Sequence, residues 1–139
     1  MPEITSGANL PSVLALAYLG DARHSLFIRR MLVGLGISKS GELNEKSQKY
    51  VTAEAQAKAF EIIEPHLTEV EAGVFKRAFN SSHLNKPKRA SGKDYRTATG
   101  FEAVIGMLTW LGDENRVDML LSMTIRTNDN GGNGNDTEN

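Results

Sequence analysis

Leu14-Ala15-Leu16-Ala17-Tyr18-Leu19-Gly20-Asp21-Ala22 decides how this chain is read. The stretch is apolar, helical in composition and built for burial, yet it carries one carboxylate directly after a glycine. Asp is a poor residue for a helix interior, and a glycine there costs about 1 kcal/mol relative to alanine. A buried carboxylate without a partner costs far more. Stability does not explain a charge at this position, so Asp21 is expected to meet a metal ion or a basic partner.

Working outward, the helix around Asp21 is expected from about Leu10 to Val33, with apolar residues on two stripes. One is Leu14, Ala17, Asp21, Ser25; the other is Leu16, Leu19, Arg23, Phe27, with Tyr18, Leu26 and Met31 nearby. A helix apolar on two sides is usually central or at a subunit interface. Gly34 and Gly36 are placed to stop it. A second helix follows Ser38-Lys39-Ser40-Gly41, and a third, rich in alanine, starts near Thr52 and ends about Pro65. Thr68-Glu69-Val70-Glu71 has the spacing of a capping box, opening a helix to about Asn80. Ser81 to Lys93, with Pro87 and Gly92, lacks apolar periodicity and reads as a loop. The spacing predicts a further helix over Thr97–Leu111 and a last one after Asp113 with Val117, Leu120, Leu121 and Ile125. Sustained period-two alternation is missing, which makes the chain all-α. Residues 1–9 read as a flexible N-terminus, 10–126 as one domain, and 127–139 as a disordered polar tail.

The bulk numbers agree. A chain of 139 residues, 40% hydrophobic and 24% charged, can bury one core without staples. The absence of cysteine excludes thiolate zinc sites and a disulfide framework, in keeping with a reducing cytoplasm. Asp21, Arg23, Arg29 and Arg30 interrupt the longest apolar run, and Met1-Pro2-Glu3-Ile4 lacks the order of a signal peptide, so the expected location is cytoplasmic, with no membrane partner. The net charge of −1 hides a basic segment: Lys76, Arg77, Lys86, Lys88, Arg89, Lys93 and Arg96 stand against the single acid Asp94.

Glu102 is the second acid set into an apolar helix, beside Phe101, Val104 and Ile105. Two such oxygen ligands suit a hard cation such as Mg²⁺. The alternatives are ordinary: a salt bridge from Asp21 to Arg23, Arg29 or Arg96, and a boundary position for Glu102. Gly20 precedes Asp21, and Gly106 follows Glu102 by four residues on the same helix face, so each acid has a small neighbour beside which a second backbone, or a hydrated metal, can approach. His24, His66 and His83 are read as packed or exposed histidines rather than ligands, and Phe101 and Trp110 as core.

These residues also carry a resemblance. Leu16-Ala17-Tyr18-Leu19-Gly20-Asp21-Ala22 is similar to the signature helix of the ribonuclease III catalytic domain, and Phe101-Glu102-Ala103-Val104-Ile105-Gly106 to its second acidic motif. Tyr50 to Ala57, Lys76 to Asn80 and Tyr95 to Thr99 resemble the short subgroup called Mini-ribonuclease III. Leu14, Ala17 and Thr99 stand where the larger relatives have further acids, a reduction this subgroup shares.

The resemblance implies an all-α, homodimeric, ribonuclease III-like endonuclease domain. In it Asp21 and Glu102 are the catalytic and metal-holding residues, for Mg²⁺ with Mn²⁺ able to substitute, and the products bear 5′-phosphate and 3′-hydroxyl ends. The implied substrate is double-stranded RNA, in the family the stem of the large-subunit ribosomal RNA precursor, with ribosomal proteins as further partners on that substrate. The chain is too short for the double-stranded-RNA-binding domain of the larger relatives, so RNA contact is expected from Lys76, Arg77, Lys86, Lys88, Arg89 and Arg96. The rival expectation is a catalytically silent RNA-binding or ribosome-associated scaffold of the same fold.

Overall fold

The computed structural model describes residues 10–82 and 92–133, without the side chains of 126–133. Caps set the helix starts. The Ser12 hydroxyl accepts from the Ala15 amide at 3.1 Å and opens α1 (Val13–Gly34). Beyond it Gly36 takes φ +92°, a left-handed conformation that a side chain would resist, and the chain turns. α2 (Ser40–Val51) ends at Thr52, whose extended backbone and side chain cap α3 (Ala53–Ile63) through the Ala55 amide. A short 3-10 turn, Glu64–His66, holds Pro65. The capping box then forms as expected, with the Glu71 amide donating to Thr68 Oγ1 (3.1 Å) and the Thr68 amide to Glu71 Oε1 (2.9 Å), opening α4 (Glu69–Ser81). α5 (Gly92–Trp110) and α6 (Glu114–Asn133) complete the described chain, and Asp113 caps α6 through the Arg116 amide at 3.2 Å.

Two boundaries differ from the sequence reading. α5 starts at Gly92 rather than Thr97. Its first turns are polar and so lack an apolar signal, but Asp94 suits a helix N-terminus and Thr99 Oγ1 donates back to the Tyr95 carbonyl at 3.0 Å. The α6 backbone stays helical through 127–133, where composition suggested a tail. No proline interrupts its hydrogen-bond ladder there. His83, Lys86, Lys88 and Arg89, with most of the expected loop, lie outside the described residues.

α5 is the centre of the molecule. Ala98, Gly100, Phe101, Ala103, Val104, Ile105, Gly106 and Met107 are all buried, so the helix is enclosed on nearly every side. α1 packs on it most extensively, with α4 and α3 next. Val117, Leu120 and Leu121 of α6 also join the core. On α1 the buried residues are Leu16, Gly20, His24, Ile28 and Leu32, one per turn, with Ala17 beside them. The opposite side, Leu14, Tyr18, Ala22 and Leu26, is exposed. Both stripes differ in register from the sequence reading, because a glycine and a histidine occupy the most buried line. Asp21 lies on the flank between the two.

One ion pair closes the base of this core. Arg116 Nε and Nη2 donate to the two Glu71 carboxylate oxygens at 2.9 and 2.8 Å, and Nη2 also reaches the His66 carbonyl at 2.7 Å. Burial alone would raise the Glu71 pKa, but hydrogen bonds from Arg116 and Thr68 hold it below its usual value. Arg116→Ala is therefore expected to destabilise the fold by about 3 kcal/mol, because it strands a buried carboxylate. Since the folded pKa of Glu71 is depressed, its contribution is present above its ordinary pKa and is lost as pH falls. Denaturant melts of wild type and Arg116→Ala at neutral and acidic pH check this; their stabilities should converge in acid.

Candidate active site

The site begins with two glycines. A Cβ on Gly20 would collide with the carbonyl of Glu102, and one on Gly106 would collide with the carbonyl of Leu16. α1 and α5 therefore touch backbone to backbone at Gly20 and Gly106. This contact brings Asp21, the residue after Gly20, beside Glu102, one turn before Gly106. Of the two possible roles of small residues here, close approach of a second backbone is the one seen.

Asp21 and Glu102 interact directly through their side chains. Asp21 is exposed and Glu102 half-buried, so the first acid is not sunk in the core as its sequence surroundings suggested. Its flank position on α1 turns it outward toward the mouth of the α1–α5 contact. Burial, followed by hydrogen bonding to and repulsion from Asp21, pushes the Glu102 pKa up to about 9; the Gln56 amide opposes the shift. At neutral pH the pair thus retains a proton, and a cation that took its place would relieve both the repulsion and the burial of charge.

Gln56 and His24 form the floor, and neither was assigned a role from sequence. Both are 2% exposed. Gln56 Nε2 donates to His24 Nδ1 at 3.1 Å, and the same side chain lies close enough to Glu102 to favour its charged form. His24 stands edge-on to Phe101, with ring centroids 5.2 Å apart. Burial lowers the His24 pKa to about 4, with Asp21 partly offsetting it, so the ring is neutral. The available signal was helical spacing: His24 lies four residues after Gly20 on the buried face, and Gln56 lies one turn after the Thr52 cap.

Two of the alternative partners for Asp21 are engaged elsewhere. Arg23 pairs with Glu114 and Asp118 of α6, each at 2.9 Å, and Arg96 lies 4.8 Å over the Phe79 ring. Arg29 is exposed, and no ion pair to Asp21 occurs among the described residues. Leu14 is exposed and Ala17 buried, while the buried Thr99 spends its hydroxyl on its own helix. Lys76 and Arg77 are exposed on α4.

The raised Glu102 pKa has a measurable consequence for the metal-free protein. The folded state keeps a proton that the unfolded chain releases near pH 4.5, so stability falls as pH rises from there to about 9. The slope is at most about 1.4 kcal/mol per pH unit. Glu102→Gln removes this titration: the variant should be the more stable protein at pH 8 in chelator, and the gain should vanish near pH 4. Parallel pH–stability curves for the two proteins would contradict the assignment.

With two carboxylates brought side by side at a glycine-mediated contact of two helices, the chain matches the family model of the ribonuclease III domain over residues 14–113. Mini-ribonuclease 3 of Streptococcus pneumoniae is 40% identical over 120 residues, 85% of this chain and 94% of that protein. Mini-ribonuclease 3 of Brevibacillus brevis is 41% identical over 115 residues, 83% of this chain and 86% of that protein. A crystal structure of a protein from Fusobacterium nucleatum superposes with a TM-score of 0.79 at 28% identity, covering 89% of this chain and 99% of that one. The chain belongs to the ribonuclease III family, in its Mini-ribonuclease 3 branch.

Proposed function

We propose that this chain is an endoribonuclease that hydrolyses double-stranded RNA at Asp21 and Glu102, with residues 10–126 as its catalytic domain. The observation that carries the reading is the Asp21–Glu102 pair, two acids pressed together at a contact that tolerates no side chain at Gly20 or Gly106. Among the described residues no group of three acids, histidines or cysteines could hold a metal, so the protein offers two carboxylates. That donor set fits Mg²⁺, which keeps several waters and is commonly held by one or two carboxylates together with substrate phosphates; Mn²⁺ accepts the same oxygens. When bound, the cation supplies Lewis acidity, acidifying the attacking water and offsetting charge on the phosphodiester. Asp21 and Glu102 are the residues that would hold and orient it. The products carry 5′-phosphate and 3′-hydroxyl ends.

The dimer is part of the same proposal. Tyr18 is 85% and Leu26 49% exposed on the helix that bears Asp21, and with Leu14 they form a stripe suited to a two-fold contact with its copy. Two sites then face one RNA helix, one for each strand. The proposed substrate in the cell is the stem of the large-subunit ribosomal RNA precursor, with ribosomal proteins aiding on it, in the cytoplasm. No helix of the described residues is long and apolar enough to cross a membrane.

Phosphate contact is assigned to Lys76, Arg77, Lys86, Lys88, Arg89 and Arg96. Lys76 and Arg77 project from the exposed face of α4, which supports them as a pair. Lys76→Ala with Arg77→Ala should weaken duplex RNA binding and reduce the slope of log affinity against log salt by about 1 to 2. An unchanged slope in a filter-binding titration would remove both residues from the interface. Cleavage of a long RNA duplex in Mg²⁺ tests the enzyme reading itself.

A further inference from the structure

We propose that Gln56 is a positioning residue for the Asp21–Glu102 pair, with its amide anchored by His24 and its free N–H turned to the Glu102 carboxylate. The inference rests on the reading of Asp21 and Glu102 as the metal-holding acids. It adds a third helix to the site: α3 controls an acid that α5 carries.

The chemistry of the contact fixes its direction. An amide nitrogen only donates, so Nδ1 of His24 must offer its lone pair and the ring proton sits on Nε2. Gln56 Nε2 has two hydrogens; His24 takes one, which leaves the other for Glu102, whose charged form the neighbouring Gln56 favours. The Phe101 ring, adjacent in sequence to Glu102, stands at 87° to the His24 ring and restrains it. Phe101, His24, Gln56 and Glu102 therefore form a closed chain through α5, α1 and α3.

Packing alone does not call for this arrangement. Two leucines would fill the space without the cost of burying an amide and an imidazole. The polar pair has both members buried and satisfied, and its one remaining function is to restrict where the Glu102 oxygens point. Groups that orient a metal ligand from behind commonly change metal affinity about 10- to 100-fold when removed.

The test uses the full chain, with Mn²⁺ titrated calorimetrically in the absence of RNA, followed by steady-state cleavage of duplex RNA. Gln56→Met should weaken Mn²⁺ binding about 10-fold or more and lower kcat while leaving KM for the RNA unchanged. His24→Leu should do the same, whereas His24→Asn, which keeps an acceptor near the place of Nδ1, should recover most of the affinity. That rescue separates positioning from a merely structural role, and the His24 pair carries the comparison if Gln56→Met does not fold. Wild-type Mn²⁺ affinity and kcat in folded Gln56→Met, with Asp21→Asn impaired, overturns the proposal alone. Wild-type Mn²⁺ affinity in Asp21→Asn overturns the site reading, and this proposal with it.

Discussion

Gly20→Ala is expected to destabilise the protein by about 3 kcal/mol or more, at or beyond the upper range for overpacking a core. The added methyl would meet the Glu102 carbonyl and the Gly106 amide rather than a flexible side chain, so α1 and α5 must separate. With typical domain stability only about 5–15 kcal/mol, much of the fold's margin is lost. Gly106→Ala should behave alike, since its methyl would strike the Leu16 carbonyl and the Gly20 amide. Gly41→Ala is the contrast: nothing lies within 4 Å of that position on α2, and the change should stabilise by about 0.5–1 kcal/mol. Denaturant midpoints of the three variants give the comparison. A Gly20→Ala protein as stable as wild type would mean that the two helices do not meet as described, and the placing of Asp21 beside Glu102 would fall with it.

Asp21→Asn is expected to reduce duplex cleavage on the order of 10³-fold or more, since losing several kcal/mol of charge stabilisation corresponds to that factor. The dimer and the affinity for RNA should be largely unchanged. The basis is geometric: Asp21 is exposed at the edge of α1, so its carboxylate contributes little to packing. Substitution also relieves Glu102 of a like-charged neighbour, which is one of the causes of its raised pKa. Single-turnover cleavage and a melting curve on the same sample separate the two roles. Unfolding of Asp21→Asn would make the residue a structural member of the helix contact.

The acids were legible because each interrupts an apolar helix beside a glycine, a combination with a cost that stability cannot explain. Their burial was less legible. The hydrophobic stripe suggested that Asp21 points inward, but Gly20 and His24 occupy the buried line and leave Asp21 on its flank. Composition signals hydrophobicity, whereas the backbone contact at Gly20 selects which side of α1 meets α5. Gln56 was hidden for a related reason: within Thr52 to Ala59 it is an ordinary helix former, and its value lies in contacts from α1 and α5. The early start of α5 was hidden by polar first turns, which carry helix-compatible residues but no apolar period. Thr68 and Asp113, by contrast, could be placed as caps from local sequence, because their partners lie three residues away.

The central claim, that Asp21 and Glu102 make this chain a cation-dependent double-strand ribonuclease, is tested most directly by one assay. A long perfect RNA duplex is incubated with the wild-type protein in Mg²⁺ and in chelator, and the ends of any products are identified. The expected result is cleavage in Mg²⁺ alone, giving 5′-phosphate and 3′-hydroxyl ends. Intact duplex in Mg²⁺, with the protein demonstrably bound to it, would contradict the claim and leave an RNA-binding scaffold in its place.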